Sequence, residues 1–202
     1  MSGKFIVLDG PDGAGKSTQV QRLGAALRER GIDVLVLREP GGTSVGEEIR
    51  KILLEKKNLA IDPLAETLLF QAARAQLVRE VIRPALARGT WVLCDRFDLS
   101  TLVYQGLAGG VERASIEALT RVAVADARPD RYFVLWVDRK LGEERRAARA
   151  ADRMESKGSE FLERVAAAFR TEALACPERY TLIDGAGAED VVFATIWALL
   201  PL

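Results

Sequence analysis

The residues from Gly10 to Ser17 have the types and spacing of a phosphate-binding loop. They read Gly-Pro-Asp-Gly-Ala-Gly-Lys-Ser and match the pattern G-x-x-x-x-G-K-[ST] between an apolar run and a helical stretch. Glycines let backbone N–H groups converge on phosphate oxygens, Lys16 reaches the β- and γ-phosphates, and the Ser17 hydroxyl ligates Mg²⁺. We therefore predict nucleotide contacts from Gly10, Pro11, Asp12, Gly13, Ala14, Gly15, Lys16, Ser17 and Thr18.

The loop by itself indicates ATP or GTP binding and leaves the reaction open, because switches, motors and small-molecule kinases all use it. The alternative, a glycine-rich turn that binds nothing, does not account for the apolar strand and long helix on either side. A GTPase should also carry an N-K-x-D guanine-reading motif, which the sequence lacks. ATP is therefore the expected nucleotide.

The second candidate for phosphate chemistry is an arginine-rich run in the C-terminal half. Phosphoryl transfer needs cations over the transferring group, and one added arginine contributes a factor of about 10³ to 10⁵. Positions 11–14 supply no arginine, whereas Arg146, Arg149 and Arg153 would align on one helix face or be presented by a flexible lid. The ordinary interpretation of such a run is a solvated helix face with i, i+4 ion pairs. The surrounding motifs favour a lid within about 140–158, with Arg149 and Arg153 as catalytic candidates.

The elements that must position these groups follow from the hydrophobic pattern. Short apolar runs alternate with longer stretches of helical period, which is typical of strands and crossover helices around a parallel sheet. The apolar runs predict strands at Phe5–Asp9, Val34–Arg38, Trp91–Cys94, Tyr132–Val137 and Tyr180–Ile183. Helices are predicted at 16–30, 62–87 and 189–200, with a long charged helical stretch at 138–175.

Two helix limits and one expected bend have local signals. Gly31 is a suitable left-handed residue just after the first helix. Asp62 can cap the second helix, Pro63 suits its first position, and Pro84 is expected to bend it near its end.

The composition limits the class of protein. A length of 202 residues, with 49% apolar and 29% charged residues and no linker-like shift, predicts one domain over 1–202. The sequence contains no histidine, which excludes the commonest general base and metal ligand, and its zero net charge supplies no field for nucleic acid. Cys94 and Cys176 have neither metal-ligand spacing nor disulfide density. With no signal peptide or membrane-length apolar stretch, we expect a soluble cytoplasmic protein that binds neither membrane nor nucleic acid.

Four ordered motifs resemble the thymidylate kinase family and cover most of the chain, from residue 5 to about residue 164. They are Phe5 to Thr18, including the acidic Asp12; Arg38-Glu39-Pro40-Gly41-Gly42-Thr43 for R-E-P-G-G-T; Leu68 to Arg74 for L-L-F-x-A-x-R; and Asp95-Arg96-Phe97 with Ser100, Thr101, Tyr104, Gln105 and Gly106 for D-R-[YF]-x-x-S-x-x-[YF]-Q-G. Because its phosphate loop has no arginine, the chain is similar to the branch of the family whose arginines lie in a lid.

The resemblance implies a binding site for dTMP. Phe70 would stack on thymine while Arg74 hydrogen-bonds the base, and their i, i+4 spacing puts both on one helix face. Phe70 would otherwise be an ordinary core residue, and Arg74 an ordinary residue of a solvated helix face. Arg96, just past a buried strand, and Arg38 would hold the dTMP phosphate. Tyr104 would crowd C2′ of the sugar and disfavour a ribose hydroxyl. The implied substrate contacts are Asp12, Arg38, Phe70, Arg74, Arg96, Ser100, Thr101, Tyr104 and Gln105.

Two carboxylates complete the implied site. Asp12 would lie near the 3′-hydroxyl of dTMP and the metal, the alternative being an Asx turn that stabilises the loop. Asp95 would help Ser17 to hold Mg²⁺, the alternative being a structural salt bridge. Lys16 and Arg96 join the lid arginines as the expected catalytic residues.

The fold that the resemblance implies is a three-layer α/β P-loop NTPase with a five-stranded parallel sheet in the order 2-3-1-4-5. The implied activity is direct in-line transfer of the γ-phosphoryl of ATP to dTMP with Mg²⁺, in a homodimer. Two alternatives stay open, a kinase for another monophosphate such as dUMP and a nucleotide-binding protein without turnover. A nucleic-acid-binding module is the weakest of the alternatives.

Overall fold

Five parallel strands form a sheet at the centre of the computed structural model, which describes residues 3–55, 59–147 and 152–202. The strands are β1 (Phe5–Asp9), β2 (Val34–Arg38), β3 (Trp91–Asp95), β4 (Arg131–Trp136) and β5 (Thr181–Asp184). They lie in the order β2-β3-β1-β4-β5, and each neighbouring pair is parallel. The expected fold class and strand order are confirmed, and the predicted strand limits agree to within one residue.

Helices cover both faces of the sheet. They are α1 (Lys16–Glu29), α2 (Ser44–Arg50), α3 (Pro63–Leu77), α4 (Arg83–Ala87), α5 (Asp98–Thr101), α6 (Arg113–Val124), α7 (Arg139–Arg146), α8 (Ser159–Ala175) and α9 (Glu189–Ala198). Turns of π-helix at Lys51–Glu55, Val78–Ile82 and Leu102–Leu107 continue α2, α3 and α5. None of the helices in the described part of the chain is long and apolar enough to cross a membrane.

The local helix signals act as predicted at two ends. Gly31 has a φ of 75° and its N–H donates to the Arg28 carbonyl at 2.9 Å, which ends α1. Asp62 accepts from the Leu64 N–H at 2.9 Å, and Pro63 is the first residue of α3. The predicted helix 62–87 consists of α3, a π-helical turn and α4. The π-helical turn ends two residues before Pro84, whose ring nitrogen has no hydrogen to donate.

The predicted charged helical stretch 138–175 is not one helix. Its described parts contain α7, a 3₁₀ turn at Glu155–Lys157 and α8. Gly158, with a φ of 98°, separates the 3₁₀ turn from α8, and this is a backbone conformation that glycine adopts without strain. The catalytic candidate Arg149 falls outside the described residues.

Alternate residues of the central strand pack on opposite faces of the sheet. Phe5 and Val7 belong to a core that includes Phe169 of α8, whereas Ile6 and Leu8 belong to a second core that includes Leu23 of α1. This period of two is the pattern of a strand buried on both sides. The two cores hold the carboxyl ends of the strands at one edge, where β1 leads into the phosphate loop and β3 ends at Asp95.

Candidate active site

A cleft of about 700 Å³ lies at the carboxyl ends of the strands, where open α/β sheets bind ligands. The predicted site residues that line it are Asp12, Gly13, Ala14, Gly15, Lys16, Ser17, Thr18, Arg38, Phe70, Asp95, Arg96, Ser100, Thr101, Tyr104 and Gln105. Gly10, Pro11, Arg74 and Arg153 are not part of its lining. The structure therefore brings most of the predicted residues to one place.

The phosphate loop has the backbone that its glycines allow. Gly10 has a φ of 135°, and a Cβ there would lie 1.9 Å from the Leu135 carbonyl oxygen. Gly15 has a φ of 89° and precedes α1 without a side-chain cap, so the first N–H groups of the helix are not blocked by a side chain. A helix N-terminus in this state attracts anions through its free N–H groups and its dipole.

Lys16 is held at the base of the loop. Its side chain is buried, and Nζ donates to the Pro11 carbonyl at 2.7 Å. Burial, with help from the Arg96 guanidinium, lowers the pKa of Lys16 from 10.5 to about 8, although the carboxylates of Asp12 and Asp95 oppose the change. A phosphate group that replaced the Pro11 carbonyl would favour the charged form of this amine.

Ser17 and Asp95 form the candidate metal site. The Ser17 hydroxyl donates a short hydrogen bond to Asp95 Oδ2, and Asp95 Oδ1 is buried with no hydrogen-bond partner among the described residues. A hydroxyl beside a carboxylate oxygen without a partner fits Mg²⁺, which binds few protein oxygens and completes its octahedron with waters and phosphates. No cluster of three or more acidic or cysteine side chains that could hold an ion by itself occurs in the described ranges.

Arg96 stands between two carboxylates. Its Nη2 donates to Asp12 Oδ1, and Nη1 lies 3.5 Å from Asp9 Oδ1 and donates to the Gly10 carbonyl at 2.9 Å. The Tyr104 hydroxyl donates to Asp12 Oδ2 at 2.9 Å. Burial raises the pKa of Asp12, but the charges of Arg96 and Lys16 outweigh it and hold that pKa well below its usual range. Asp12 is therefore a carboxylate in the resting site.

Asp9 is a buried carboxylate beside the cleft to which the sequence reasoning gave no role. It is the last residue of β1, has no exposed surface, and accepts from the Ser100 hydroxyl at 2.7 Å, the Tyr132 hydroxyl at 2.9 Å and the Gly10 N–H at 2.9 Å. These bonds fix the phosphate loop against the segment after β3. The sequence did contain a signal for Asp9, because a carboxylate at the end of an apolar strand that is buried on both faces needs hydrogen-bond partners.

Arg74 is fully engaged by protein groups. Nε donates to Glu39 Oε2 at 2.8 Å, and Nη2 lies 2.7 Å from the same oxygen. Nη1 donates to Gln71 and Thr101 at 3.0 and 3.1 Å, and Nη2 donates to the Phe97 carbonyl at 3.0 Å. Each of the three guanidinium nitrogens thus has a hydrogen-bond partner in the protein. The base-binding role of Arg74 stays a prediction.

Glu39, the buried partner of Arg74, also lines the cleft. The Arg74 Nε bond and the close approach of Nη2 are both to Oε2, and Oε1 has no hydrogen-bond partner among the described residues. Burial raises the pKa of Glu39 from 4.5 to about 7, and the nearby charge of Arg74 opposes this without reversing it. The sequence reasoning used Glu39 only as part of a motif.

Arg38 and Arg50 are two more cations in the acceptor side of the cleft, which is the part where the phosphate of dTMP is expected. Arg38 is largely exposed, and its Nη2 lies 3.5 Å from Glu47 Oε2. Arg50, the last residue of α2, donates to the Pro40 carbonyl at 2.7 Å and lines the cleft beside Arg38. Arg50 was missed because nothing in its local sequence distinguishes it from a solvated helix residue. Arg38, Arg50 and Arg96 give this side of the cleft a positive field suited to a phosphate dianion.

The described arginines of the predicted lid differ in their surroundings. Arg145 donates to the carbonyls of Gly185 and Ala186 at 2.7 and 3.2 Å, which ties α7 to the loop after β5. Arg146 lines the cleft, and its Nη1 lies 3.0 Å from Glu155 Oε1. Arg153 donates to Glu66 and, at 2.7 Å, to the Leu53 carbonyl, away from the phosphate loop. Its catalytic role stays a prediction, whereas Arg146 lies in the cleft already.

The same chain is similar over nearly its whole length to thymidylate kinases. The thymidylate kinase family pattern matches residues 8–196. The thymidylate kinase of Pelotomaculum thermopropionicum is 48% identical over 194 residues, which covers 95% of this chain and 90% of that protein. The thymidylate kinase of Pseudomonas fluorescens is 48% identical over 202 residues, 100% of this chain and 96% of that protein. The crystal structure of thymidylate kinase from Ehrlichia chaffeensis superposes with a TM-score of 0.81 at 31% identity and covers 100% of both chains.

Proposed function

Because the chain belongs to the thymidylate kinase family, it phosphorylates dTMP to dTDP, and we propose that its cleft takes ATP at the phosphate loop and dTMP between Arg96 and Phe70. The observation that carries this arrangement is the continuity of the cleft. Its lining runs from the loop residues and Lys16 to Phe70 and Gln105 without leaving one cavity. A donor and an acceptor nucleotide bound there would have their phosphates side by side.

The reaction needs positioning and charge more than it needs proton transfer. An oxygen of the dTMP phosphate attacks the γ-phosphorus of ATP, and the bond from that phosphorus to the bridging oxygen breaks, with its electron pair leaving on ADP. The attacking oxygen is already anionic, so no general base is required, which agrees with the absence of histidine. Lys16 and Arg146 would stabilise the transferring group, while Arg96, Arg38 and Arg50 would orient the acceptor phosphate.

The metal completes the charge balance on the donor side. Mg²⁺ bound by Ser17 and Asp95 would neutralise the β- and γ-phosphates of ATP, as it does in other loop-type kinases. The short Ser17 to Asp95 hydrogen bond supports this assignment, as does Asp95 Oδ1, which has no hydrogen-bond partner in the described part of the chain. Removal of free Mg²⁺ by a chelator should abolish turnover, and turnover that persists would exclude the assignment.

The test of the function is ADP release from ATP and Mg²⁺ with dTMP, dUMP, UMP, CMP, AMP and GMP as acceptors. We expect a preference for dTMP, and only the thymine methyl separates it from dUMP, worth roughly 1 to 3 kcal/mol in a shaped pocket. A preference for another monophosphate would keep the kinase and remove the Phe70, Arg74 and Tyr104 assignments. No turnover with any acceptor would favour a binding protein.

We further propose that the whole chain acts as one kinase domain in a cytoplasmic homodimer. Large apolar side chains are exposed on α2, α3 and α6, which pack side by side: Val45, Leu64, Leu68 and Val122. Apolar side chains grouped in this way are typical of a surface that a second subunit covers. Both cysteines are unpaired thiols, as a reducing compartment favours. Sedimentation as a monomer at all concentrations would exclude the dimer, and a Val122→Asp variant should sediment as a monomer if this face is the interface.

A further inference from the structure

Glu66 is a buried charge that none of the roles above explains. It lies in the first turn of α3, and its side chain is only 2% exposed. It receives hydrogen bonds from three side chains, Arg153, Lys157 and Gln105. Burial raises the pKa of Glu66, but these three bonds outweigh it and lower that pKa below its ordinary value. The residue is therefore an ion at neutral pH, with two cations facing it.

Both cations come from the C-terminal end of the lid. Arg153 donates to Glu66 through Nη2, and its Nε and backbone N–H donate to the carbonyls of Leu53 and Leu54 at 2.7 and 2.9 Å. Lys157 donates to Glu66 Oε1 at 2.9 Å. This segment is thereby fixed to α3 and to the π-helical turn after α2. The two residues that flank Arg153, which are Asp152 and Met154, line the cleft, so the position of Arg153 sets theirs.

The third partner belongs to the acceptor side of the cleft. Gln105 Nε2 donates to Glu66 Oε1 at 2.8 Å, and Gln105 lines the cleft near Phe70 and Tyr104. One carboxylate oxygen, Glu66 Oε1, thus accepts hydrogen bonds from Lys157 of the lid end and from Gln105 of the cleft wall. A displacement of the lid end and a displacement of Gln105 cannot be independent while both groups share that oxygen.

We propose that Glu66 is a positioning residue for phosphoryl transfer, which holds the C-terminal end of the lid in register with the Gln105 wall of the acceptor site. The proposal rests on the proposed function of the cleft. A buried ion pair is weak support for stability by itself, since apolar replacements often stabilise as well, and fixing one geometry is the better-attested use of such a pair. In this arrangement Arg153 acts as an anchor that binds Glu66 and does not reach ATP.

The first variant is Glu66→Gln, which keeps the size and one acceptor oxygen but removes the charge that both cations face. Misplacement of reacting groups by about an ångström can cost on the order of 100-fold. We expect kcat/KM for dTMP to fall by about 10- to 100-fold, with a lower kcat and a higher KM for dTMP. The matched control is Glu172→Gln, because Glu172 is also buried and pairs with Arg113 at 2.9 and 2.6 Å, but joins α6 to α8 outside the cleft lining. Its loss should lower Tm and leave both kinetic constants unchanged.

Two further variants keep the proposal testable if Glu66→Gln does not fold. Lys157→Met removes the cation that is 31% exposed and should fold, with a loss of several-fold in kcat/KM. Arg153→Met should lose about as much as Glu66→Gln, and the double variant should lose no more than the worse single one, because both act through one contact. Multiplying losses would show that Arg153 acts on the substrates directly, and this would overturn the proposal. Wild-type kinetics in Glu66→Gln and Lys157→Met would overturn it too. A failure of the wild-type protein to phosphorylate dTMP would instead refute the proposed function.

Discussion

Replacement of Glu39 by glutamine should change how the stability of the protein depends on pH. Glu39 is 6% exposed, receives the Arg74 Nε hydrogen bond on Oε2, and has no hydrogen-bond partner for Oε1 among the described residues. Burial raises its pKa from 4.5 to about 7. The folded protein therefore keeps a proton on Glu39 up to about pH 7, whereas the unfolded chain releases it near pH 4.5.

The sign and size of the effect follow from proton binding. Between pH 4.5 and about pH 7 the folded state binds more protons than the unfolded state, so the Glu39 contribution to stability falls as pH rises and is lost above pH 7. At 1.36 kcal/mol for each pH unit, this window is worth roughly 3 kcal/mol. Glutamine cannot ionise, so the free energy of unfolding of the variant does not fall for this reason as pH rises. Relative to wild type, Glu39→Gln should gain about 2 to 3 kcal/mol between pH 5 and pH 8.

Urea unfolding of both proteins at about pH 5, 6, 7 and 8 measures this difference, because other titrating groups contribute equally to the two curves. Glu66→Gln is the control of opposite sign. The pKa of Glu66 is lowered, so its stabilising ionisation is lost only as pH falls below its ordinary range, and this variant should show no such gain between pH 5 and pH 8. Parallel stability curves for wild type and Glu39→Gln across the whole range would refute the assignment of a protonated Glu39.

Three other substitutions test the cleft itself. Arg96→Met leaves Asp9 and Asp12 without their shared cation. Urea unfolding should therefore show a loss of roughly 3 to 5 kcal/mol in the free energy of unfolding, and kcat/KM should fall by about 10²- to 10³-fold. A variant as stable as wild type would contradict this ion network. Tyr104→Phe loses the hydroxyl contacts with Asp12 and Arg96 but keeps the ring. It should therefore keep the preference for dTMP over a ribonucleotide acceptor that Tyr104→Ala loses, as relative kcat/KM values for dTMP and UMP would show. Lys16→Met should lower kcat by about 10²- to 10³-fold without loss of stability at pH 7. Burial lowers the pKa of Lys16 to about 8, so its charge costs free energy in the fold below that pH, and a clear drop in Tm would refute this account.

The strands and two helix ends were predictable because their signals are local, whereas the strand order was an expectation from the family resemblance. A continuous apolar run such as Phe5 to Leu8 specifies a strand buried on both faces, and Asp62-Pro63 and Gly31 mark helix ends wherever they occur. Most of the predicted site residues line the cleft because motifs that follow parallel strands meet at one edge of the sheet. These signals do not depend on distant residues.

The parts that were not predictable depend on long-range pairing. Glu39 and Arg74 are 35 positions apart, and Glu66 and Arg153 are 87 positions apart, so no local pattern shows that each arginine ends on a carboxylate. A helical run of arginines indicates which residues share a face, but not which of them turns to the cleft. Arg146 and Arg153 share that pattern, yet Arg146 lines the cleft and Arg153 pairs with Glu66.

The resting cleft already gives partners to cations that phosphates would bind. Lys16 and Arg50 donate to the neutral carbonyls of Pro11 and Pro40, which a phosphate dianion replaces favourably. Arg96 and Arg146 pair with Asp12 and Glu155, and there the displaced partner is an ion that must keep another donor.

The structure supplies that donor for both carboxylates. Asp12 keeps the Tyr104 hydroxyl at 2.9 Å, and Glu155 keeps the Asp152 N–H at 3.0 Å. Phosphate binding in this cleft is thus an exchange of partners, and its free energy is the difference between two sets of charged hydrogen bonds. The carboxylates of Asp12, Asp95 and Asp9 oppose the repulsion between Lys16 and Arg96 before substrate binds, although the charge of Arg96 still lowers the pKa of Lys16. The cleft can therefore hold its positive charges in place without a bound nucleotide, at the cost of releasing Asp12 and Glu155 when the phosphates enter.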